Sequence, residues 1–213
     1  MGRILITGIA GFIGSRVAKH FLEQGEEVVG IDNLNAITDP TLKWQRLQML
    51  GLDVEDIQDN HLVQKEQLRF YKMDLNDEEG MNQLFSDHAF NTVIHLAANT
   101  GVRNSLTQPQ SYLQANVLGF EVLLRCCRAF SVNRVIFASS SSVYGMNEHT
   151  PFQEDDDASH PLSVYAASKK ADELLAHTYA HLYGLSTIGL RFFTVYGPWT
   201  RSDMAAYLFM DAC

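Results

Sequence analysis

The chain opens with the stretch Arg3-Ile-Leu-Ile-Thr-Gly-Ile-Ala-Gly-Phe-Ile-Gly14, which decides its fold. Five mostly apolar residues predict a strand, and Gly8, Gly11 and Gly14 follow where a helix begins. In this context glycines allow a tight turn and a close approach of the backbone to a pyrophosphate at the helix N-terminus, and the third glycine mainly serves helix-to-strand packing. We therefore expect a dinucleotide site here; the alternative is a glycine-rich turn without a ligand.

Short apolar runs alternate with longer helical segments along the rest of the chain. Strands are predicted at 3–7, 27–32, 68–73, 92–96, 134–139 and 186–191, and helices at 11–24, 77–87, 110–130 and 164–183. The alternation predicts an α/β fold, a Rossmann-like doubly wound parallel sheet flanked by helices. The stretch 34–67 is long for a connection, and we expect a helix at about 41–50 followed by a polar, mobile segment.

The composition of the chain argues against several classes of function. The chain has 213 residues, of which 46% are apolar, so it could bury a large core as one domain. A formal charge of -9 argues against nucleic acid, and no stretch suggests a membrane anchor or signal peptide, so we expect a cytoplasmic protein. Three cysteines fit neither a disulfide framework nor a zinc spacing, and the acidic run at 154–157 indicates a solvated turn rather than a metal site.

Residues at the ends of later strands extend the predicted cofactor site. Asp32 is placed to accept hydrogen bonds from an adenosine ribose and to repel a 2'-phosphate, which favours NAD over NADP; alternatively it only ends a strand before a turn. Asp74 and Leu75 follow the third predicted strand, and Leu96-Ala97-Ala98 follows the fourth, where two alanines leave room for a flat ligand. His95 lies in an apolar run and is predicted to be a core histidine.

Tyr165-Ala-Ala-Ser-Lys169 carries the predicted chemistry. Residues four apart share a helix face, so the Lys169 ammonium can lie near the Tyr165 hydroxyl and favour its phenolate, which makes the tyrosine a usable base. Taken alone, the motif also fits an ordinary surface pair on an amphipathic helix.

Together these residues resemble the extended short-chain dehydrogenase/reductase family, in its branch that modifies nucleotide sugars. In that family a serine or threonine lies 25 positions before the tyrosine, which is Ser140 here, although the run 139–142 leaves Ser141 or Ser142 open. The resemblance implies a catalytic triad of Ser140, Tyr165 and Lys169. With the residues already named, the predicted NAD-binding set is Gly8, Gly11, Phe12, Ile13, Gly14, Asp32, Asn33, Asp74, Leu75, Leu96, Ala97, Ala98, Asn116, Tyr165 and Lys169.

Within that branch the segments 30–35, 97–103 and 190–199 are most similar to UDP-glucuronate 4-epimerases. Related dehydratases and decarboxylases place an acidic residue just after the catalytic hydroxyl, where this chain has Ser141 and Ser142, and this favours epimerisation. The resemblance implies that Tyr165 takes the proton of the sugar C4 hydroxyl while hydride passes to NAD. A 4-keto intermediate, held at Ser140, would then rotate and be reduced on its other face.

A 4-keto glucuronate loses carbon dioxide readily unless its carboxylate is held. Arg201 is the candidate clamp, since a guanidinium binds a carboxylate through two parallel hydrogen bonds. Thr194, Ser141 and Ser142 would assist, and Arg103 would contact the same UDP-sugar substrate. The alternative for both arginines is an ordinary surface position.

The end of the sequence shapes the domain prediction. Residues 202–213 begin like a capped helix and have no terminating glycine or proline, so we expect residues 1–200 to form the NAD-binding domain and 201–213 to start a truncated substrate-binding region. The alternatives are a UDP-glucose 4-epimerase, another nucleotide-sugar epimerase or dehydratase, or a truncated, non-catalytic NAD-binding module. In its full-length form the protein is expected to be a homodimer paired through the helices at 110–130 and 164–183.

Overall fold

A seven-stranded sheet runs through the centre of the molecule, whose computed structural model describes residues 3–37, 39–200 and 208–210. Its strands lie in the order β3-β4-β2-β1-β5-β6-β7, and every neighbouring pair is parallel except β3 with β4. The strands are β1 (Arg3–Thr7), β2 (Val28–Asp32), β3 (Leu62–Lys65), β4 (Leu68–Lys72), β5 (Phe90–His95), β6 (Arg134–Ser140) and β7 (Ser186–Phe192).

Helices cover both faces of this sheet. The helices are α1 (Phe12–Glu23), α2 (Pro40–Met49), α3 (Glu78–Asp87), α4 (Val102–Thr107), α5 (Pro109–Tyr112), α6 (Gly119–Ala129) and α7 (Val164–Tyr183). Side chains alternate along a strand, so Leu5 packs in one core with α3, α6 and α7, whereas Ile4 and Ile6 pack in the other with α1 and α2. The predicted doubly wound α/β fold is confirmed.

The predicted strands and long helices agree with the structure to within about two residues at each end. The helix predicted at 110–130 is one continuous element, in which a π-helical turn (Leu113–Leu118) joins α5 to α6. Ser163 caps the N-terminus of α7 by accepting a hydrogen bond from the Ala166 amide at 3.0 Å, and Gly184 ends the helix in a left-handed conformation.

The helix predicted at about 41–50 is α2, whereas the polar segment predicted to follow it contains a strand that was not predicted. After α2 the chain makes a short 3-10 turn (Val54–Asp56) and then forms β3, which extends the sheet by pairing antiparallel with β4. Only Val63 of this strand is buried, so the sequence shows almost no apolar alternation there. Edge strands of this kind are held by backbone hydrogen bonds more than by side-chain burial.

In the described parts of the chain, no helix combines the length and the apolar character that crossing a membrane requires.

Candidate active site

A cavity of about 410 Å³ lies along the carboxyl ends of the parallel strands, where open α/β sheets bind ligands. The glycine loop after β1 forms one end, and the first two turns of α7 form the other. The predicted site residues that line it are Gly8, Gly11, Phe12, Ile13, Gly14, Asp32, Asn33, Asp74, Leu75, Leu96, Ala97, Ala98, Ser140, Ser141, Ser142, Tyr165, Lys169 and Thr194.

Two of the predicted site residues do not line the cavity. Arg103 is exposed on α4 and is not part of the cavity wall. Asn116 is fully buried behind the wall, where its amide nitrogen donates to the Asn99 carbonyl at 3.1 Å and to the Ser168 hydroxyl at 2.9 Å. It therefore ties the loop after β5 to α7 instead of facing the cavity. Arg201 lies outside the described residues.

The glycine loop is shaped by contacts that a side chain would prevent. Gly8 has φ +71°, and a Cβ there would meet the Ala97 amide nitrogen at 2.6 Å. A Cβ on Gly14 would collide with the Gly8 carbonyl oxygen, so this third glycine serves close packing of α1 on the loop, as predicted. The first turn of α1 thereby reaches the cavity, and its free N–H groups suit a pyrophosphate.

Asp32 is buried and already hydrogen-bonded within the chain. Its carboxylate accepts from the Ala10 amide at 3.2 Å, from the Leu34 amide at 2.8 Å and from the Lys43 ammonium at 3.0 Å. A carboxylate has about four acceptor sites, so little of Asp32 is left for a ribose. Lys43 also donates to Asn35 at 3.2 Å and lines the cavity, so it offers a further donor at this end.

A second cation, Arg46, also lines this part of the cavity and was missed from the sequence. Its guanidinium donates to the Ala10 carbonyl at 3.2 Å and to the Trp199 carbonyl at 2.6 Å, which ties α2 to the glycine loop and to the segment after β7. Lys43 and Arg46 lie three residues apart on α2, within the long connection 34–67. Both side chains are buried by the packing of α2, which the sequence alone does not show.

Asp74 lies at the edge of the cavity after β4. Burial disfavours its charge, but hydrogen bonds from Asn33, at 2.7 Å, and from Asn76 outweigh that effect and lower the pKa of the carboxyl. Asp74 therefore stays ionised and fixes Asn33 at the end of β2.

Tyr165 and Lys169 lie one helical turn apart on α7, and both line the cavity, as their spacing predicts. Tyr165 is partly exposed, and its ring meets the edge of Tyr112 with centroids 6.2 Å apart. Lys169 is buried, and its ammonium donates to the Asp172 carboxylate at 3.0 Å. The sequence interpretation missed Asp172, although its position three residues after Lys169 was a usable signal.

The serines at the end of β6 have different partners. Ser139 donates to the Glu173 carboxylate at 2.7 Å, towards α7. Ser140 is buried, and its hydroxyl accepts from the Ser142 amide at 3.2 Å, which caps a short 3-10 turn (Ser141–Tyr144). Because Ser140, Ser141 and Ser142 all line the cavity, the choice among them stays open.

His95 is a core residue, as predicted. Its Nδ1 lies 2.7 Å from the Thr7 hydroxyl, and its ring stacks on Phe120 with centroids 4.8 Å apart. Burial, helped by the charge of Lys169, keeps the pKa of His95 well below its usual range. Among the described residues there is no cluster of three or more histidine, cysteine or acidic side chains suited to a metal ion.

Comparison with known proteins identifies relatives of this chain. Protein CapI of Staphylococcus aureus is 47% identical over 99% of this chain, which covers 59% of CapI. A UDP-glucuronate 4-epimerase of Thermodesulfobacterium geofontis is 43% identical over 99% of the chain, which covers 61% of that protein.

A solved structure shows the same fold. The UDP-glucuronic acid 4-epimerase of Bacillus cereus, in complex with UDP-glucuronic acid and NAD, matches 96% of the chain with a TM-score of 0.83 and 35% identity. The chain covers 60% of that protein.

The model of one protein family accounts for nearly the whole sequence. It matches residues 4–211, which include the glycine loop, both basic residues of α2 and the Tyr165 and Lys169 pair. The chain belongs to the NAD dependent epimerase/dehydratase family.

Proposed function

We propose that this chain provides the cofactor-binding and catalytic residues of a nucleotide-sugar 4-epimerase that interconverts UDP-glucuronate and UDP-galacturonate. The observation that carries the proposal is that Tyr165 and Lys169 line the same cavity as the glycine loop. The similarity to UDP-glucuronate 4-epimerases over nearly the whole chain supports this choice of sugar.

The cavity fits NAD by its shape and its charge. Gly8 packs on Ala97 with no room for a side chain, and the N-terminus of α1 is free to receive a pyrophosphate. Lys43, beside Asp32, would hold the adenosine ribose, and Lys169 would hold the second ribose. When bound, NAD would supply the acceptor and then the donor of the hydride at the sugar C4 carbon.

The residues of the chain then have separate tasks in the proposal. Tyr165 exchanges a proton with the C4 hydroxyl, because its phenol lies in the cavity wall and its helix is held by a capped N-terminus. Ser140, or one of the next two serines, donates a hydrogen bond to the sugar C4 oxygen. Thr194 and the neighbouring serines contact the sugar, while contacts from Arg103 and Arg201 stay predictions.

The division at residue 200 also remains part of the proposal. Residues 1–200 would bind NAD and carry the chemistry, and residues 201–213 would start a region for the UDP-sugar. The competing functions are a UDP-glucose 4-epimerase, which uses the same triad without a carboxylate clamp, and an NAD-binding module without catalysis. A cytoplasmic location stays a prediction.

A homodimer is proposed through the helices on one face. Leu113, Leu118, Leu174 and Leu182 are between 47% and 60% exposed, on the helical element from α5 to α6 and on the neighbouring α7. Several exposed leucines on neighbouring helices are suited to a helix-to-helix contact with a second copy of the chain.

The test is incubation of the 213-residue chain with NAD and either UDP-glucuronate or UDP-glucose, followed by chromatography of the products. UDP-galacturonate formed from UDP-glucuronate would support the proposal. Faster conversion of UDP-glucose would instead indicate the alternative epimerase. NAD binding without conversion of either sugar would favour the binding module.

A further inference from the structure

One face of α7 carries three polar side chains in a row. Tyr165, Lys169 and Asp172 are spaced by four and three residues, so they lie on the same side of the helix. Tyr165 is partly exposed, whereas the side chains of Lys169 and Asp172 are only 1% and 0% exposed. The row therefore leads from the cavity into the protein.

Asp172 lies behind Lys169 as seen from the cavity. Lys169 is part of the cavity wall and Asp172 is not. Their ammonium and carboxylate groups are 3.0 Å apart, without solvent to screen the attraction. A ligand in the cavity would therefore contact Lys169 and not Asp172.

The ion pair fixes the direction of the lysine. An ammonium has three donors, and within the described parts of the chain the Asp172 carboxylate is the one hydrogen-bond partner of the Lys169 ammonium. Two donors are left, and because Lys169 is part of the cavity wall we assign them to a bound ligand. Without Asp172, the ammonium on its four-carbon stem would lose the hydrogen-bond partner that fixes its direction.

We propose that Asp172 is a positioning residue, which holds the Lys169 ammonium against the cavity and so sets the affinity of the chain for NAD. This inference rests on the proposed function, which places NAD in the cavity. It assigns a task to a buried carboxylate that has no part in the chemistry proposed for Tyr165.

The pair should respond to pH. One oxygen of Asp172 is buried without a partner, and burial raises the pKa of this carboxyl to about 6 against the opposing effect of Lys169, with a small further rise from Glu173. Protonation of Asp172 below that pH weakens its ion pair with Lys169. Nearby, Glu173 is ionised throughout because Arg191 holds its pKa at about 2, and burial keeps His95 neutral near pH 6.

The test is calorimetric titration of NAD into the chain between pH 5 and pH 8, for the wild type, Asp172→Asn and Lys170→Gln. The control, Lys170→Gln, removes an i,i+3 ion pair of the same helix, with 3.1 Å between the Lys170 and Glu173 side chains, that is not part of the cavity. We expect wild type and control to lose affinity as the pH falls through about 6. Asp172→Asn should bind about tenfold more weakly at pH 8, with a flat profile.

Wild-type affinity and a wild-type pH profile in folded Asp172→Asn would overturn the inference.

A second measurement does not need that variant to fold. It follows the NMR resonance of the Lys169 side-chain nitrogen in the wild type without NAD, and this resonance is identified by its absence in Lys169→Gln. It should shift with a midpoint near pH 6 as Asp172 is protonated. A resonance that stays constant would contradict the pair. Absence of NAD binding at every pH would overturn the proposed function, while this resonance would still report on Asp172.

Discussion

At the scale of single residues, the proposed chemistry depends on the phenol of Tyr165. Replacement by phenylalanine keeps the ring that meets the edge of Tyr112 but removes the hydroxyl. We expect turnover in the epimerase assay to fall by about 10² to 10⁴, the usual contribution of a general acid or base. Affinity for NAD and the urea midpoint should stay near the wild-type values, and full turnover in this variant would exclude Tyr165 as the proton-transfer group.

The ion pair of Lys43 and Asp32 provides a second test at this scale. Both side chains are nearly buried, at 10% and 5% exposure, so Lys43→Met leaves a carboxylate without its counterion. We expect a loss of about 3 kcal/mol in the free energy of unfolding, measured in urea.

The matched control is Lys19→Met on α1. Its ion pair with Glu23 is exposed, with 3.8 Å between the charged groups, and should contribute less than about 0.5 kcal/mol. Equal losses in the two variants would show that burial does not strengthen the Lys43 contact.

The sequence predicted the positions of site residues best where their spacing along the chain alone determines which of them lie together. The glycine loop, Asp32 and the pair of Tyr165 and Lys169 follow from their positions after strands or on one helix. Lys43 and Arg46 were missed because the burial of a cation depends on how elements pack, and charged residues are usually exposed.

At the scale of elements, α7 is anchored to β7 by Glu173 and Arg191. The guanidinium donates two hydrogen bonds to the carboxylate, at 2.8 Å and 3.0 Å. Burial works against the charge of Glu173, but the hydrogen bonds from Arg191, Ser139 and Lys170 outweigh it and lower the pKa of this carboxyl to about 2. The contact therefore stabilises the fold above about pH 4.5, and this stabilisation is lost as the pH falls towards 2.

Arg191→Leu should remove that stabilisation. We expect a loss of about 2 kcal/mol at pH 7, moderated by solvent around the partly exposed pair, and a smaller difference from wild type at pH 3. The measurement is urea unfolding at both pH values. Arg134→Leu, at an exposed position that starts β6, is the control and should cost little. A loss for Arg191→Leu that is the same at both pH values would contradict the role of Glu173.

Helices and strands with a strong hydrophobic periodicity were predicted from the sequence, whereas elements stabilised mainly by contacts with neighbouring elements were not. The strands β1, β2 and β5 bury most of their residues, and α6 has a clear apolar face. The edge strand β3 and the short helix α4 bury one residue each, Val63 and Ser105, so their sequences carry little signal. Tertiary contacts define such elements, and local sequence does not.

At the scale of the whole molecule, the charge of -9 contrasts with a cavity wall in which Lys43, Arg46 and Lys169 outnumber the carboxylates of Asp32 and Asp74. These cations attract a pyrophosphate into a protein that otherwise repels anions. Exchange of Lys43 and Arg46 for glutamine should therefore weaken NAD binding by about tenfold or more, measured by calorimetry. Unchanged affinity would mean that α2 is not part of the cofactor site.

The helical face with exposed leucines leads to a prediction about assembly. Leu118→Glu and Leu174→Glu place charges on the surface where a second copy is proposed to pack, and sedimentation should show a shift from dimer to monomer. Leu62→Glu, on the distant edge strand β3, is the matched control for an exposed leucine. A full-length wild type that is a monomer, or dimers that persist in both helix variants of the full-length form, would rule out this interface.

The most direct test of the central claim is conversion of UDP-glucuronate that carries deuterium at the sugar C4 carbon, in the presence of NAD. If Tyr165 and its neighbours drive oxidation and reduction at that carbon within one cavity, UDP-galacturonate should form with the deuterium retained at C4, and Tyr165→Phe should form almost none. Product that has lost the deuterium, or equal product from Tyr165→Phe, would contradict the account.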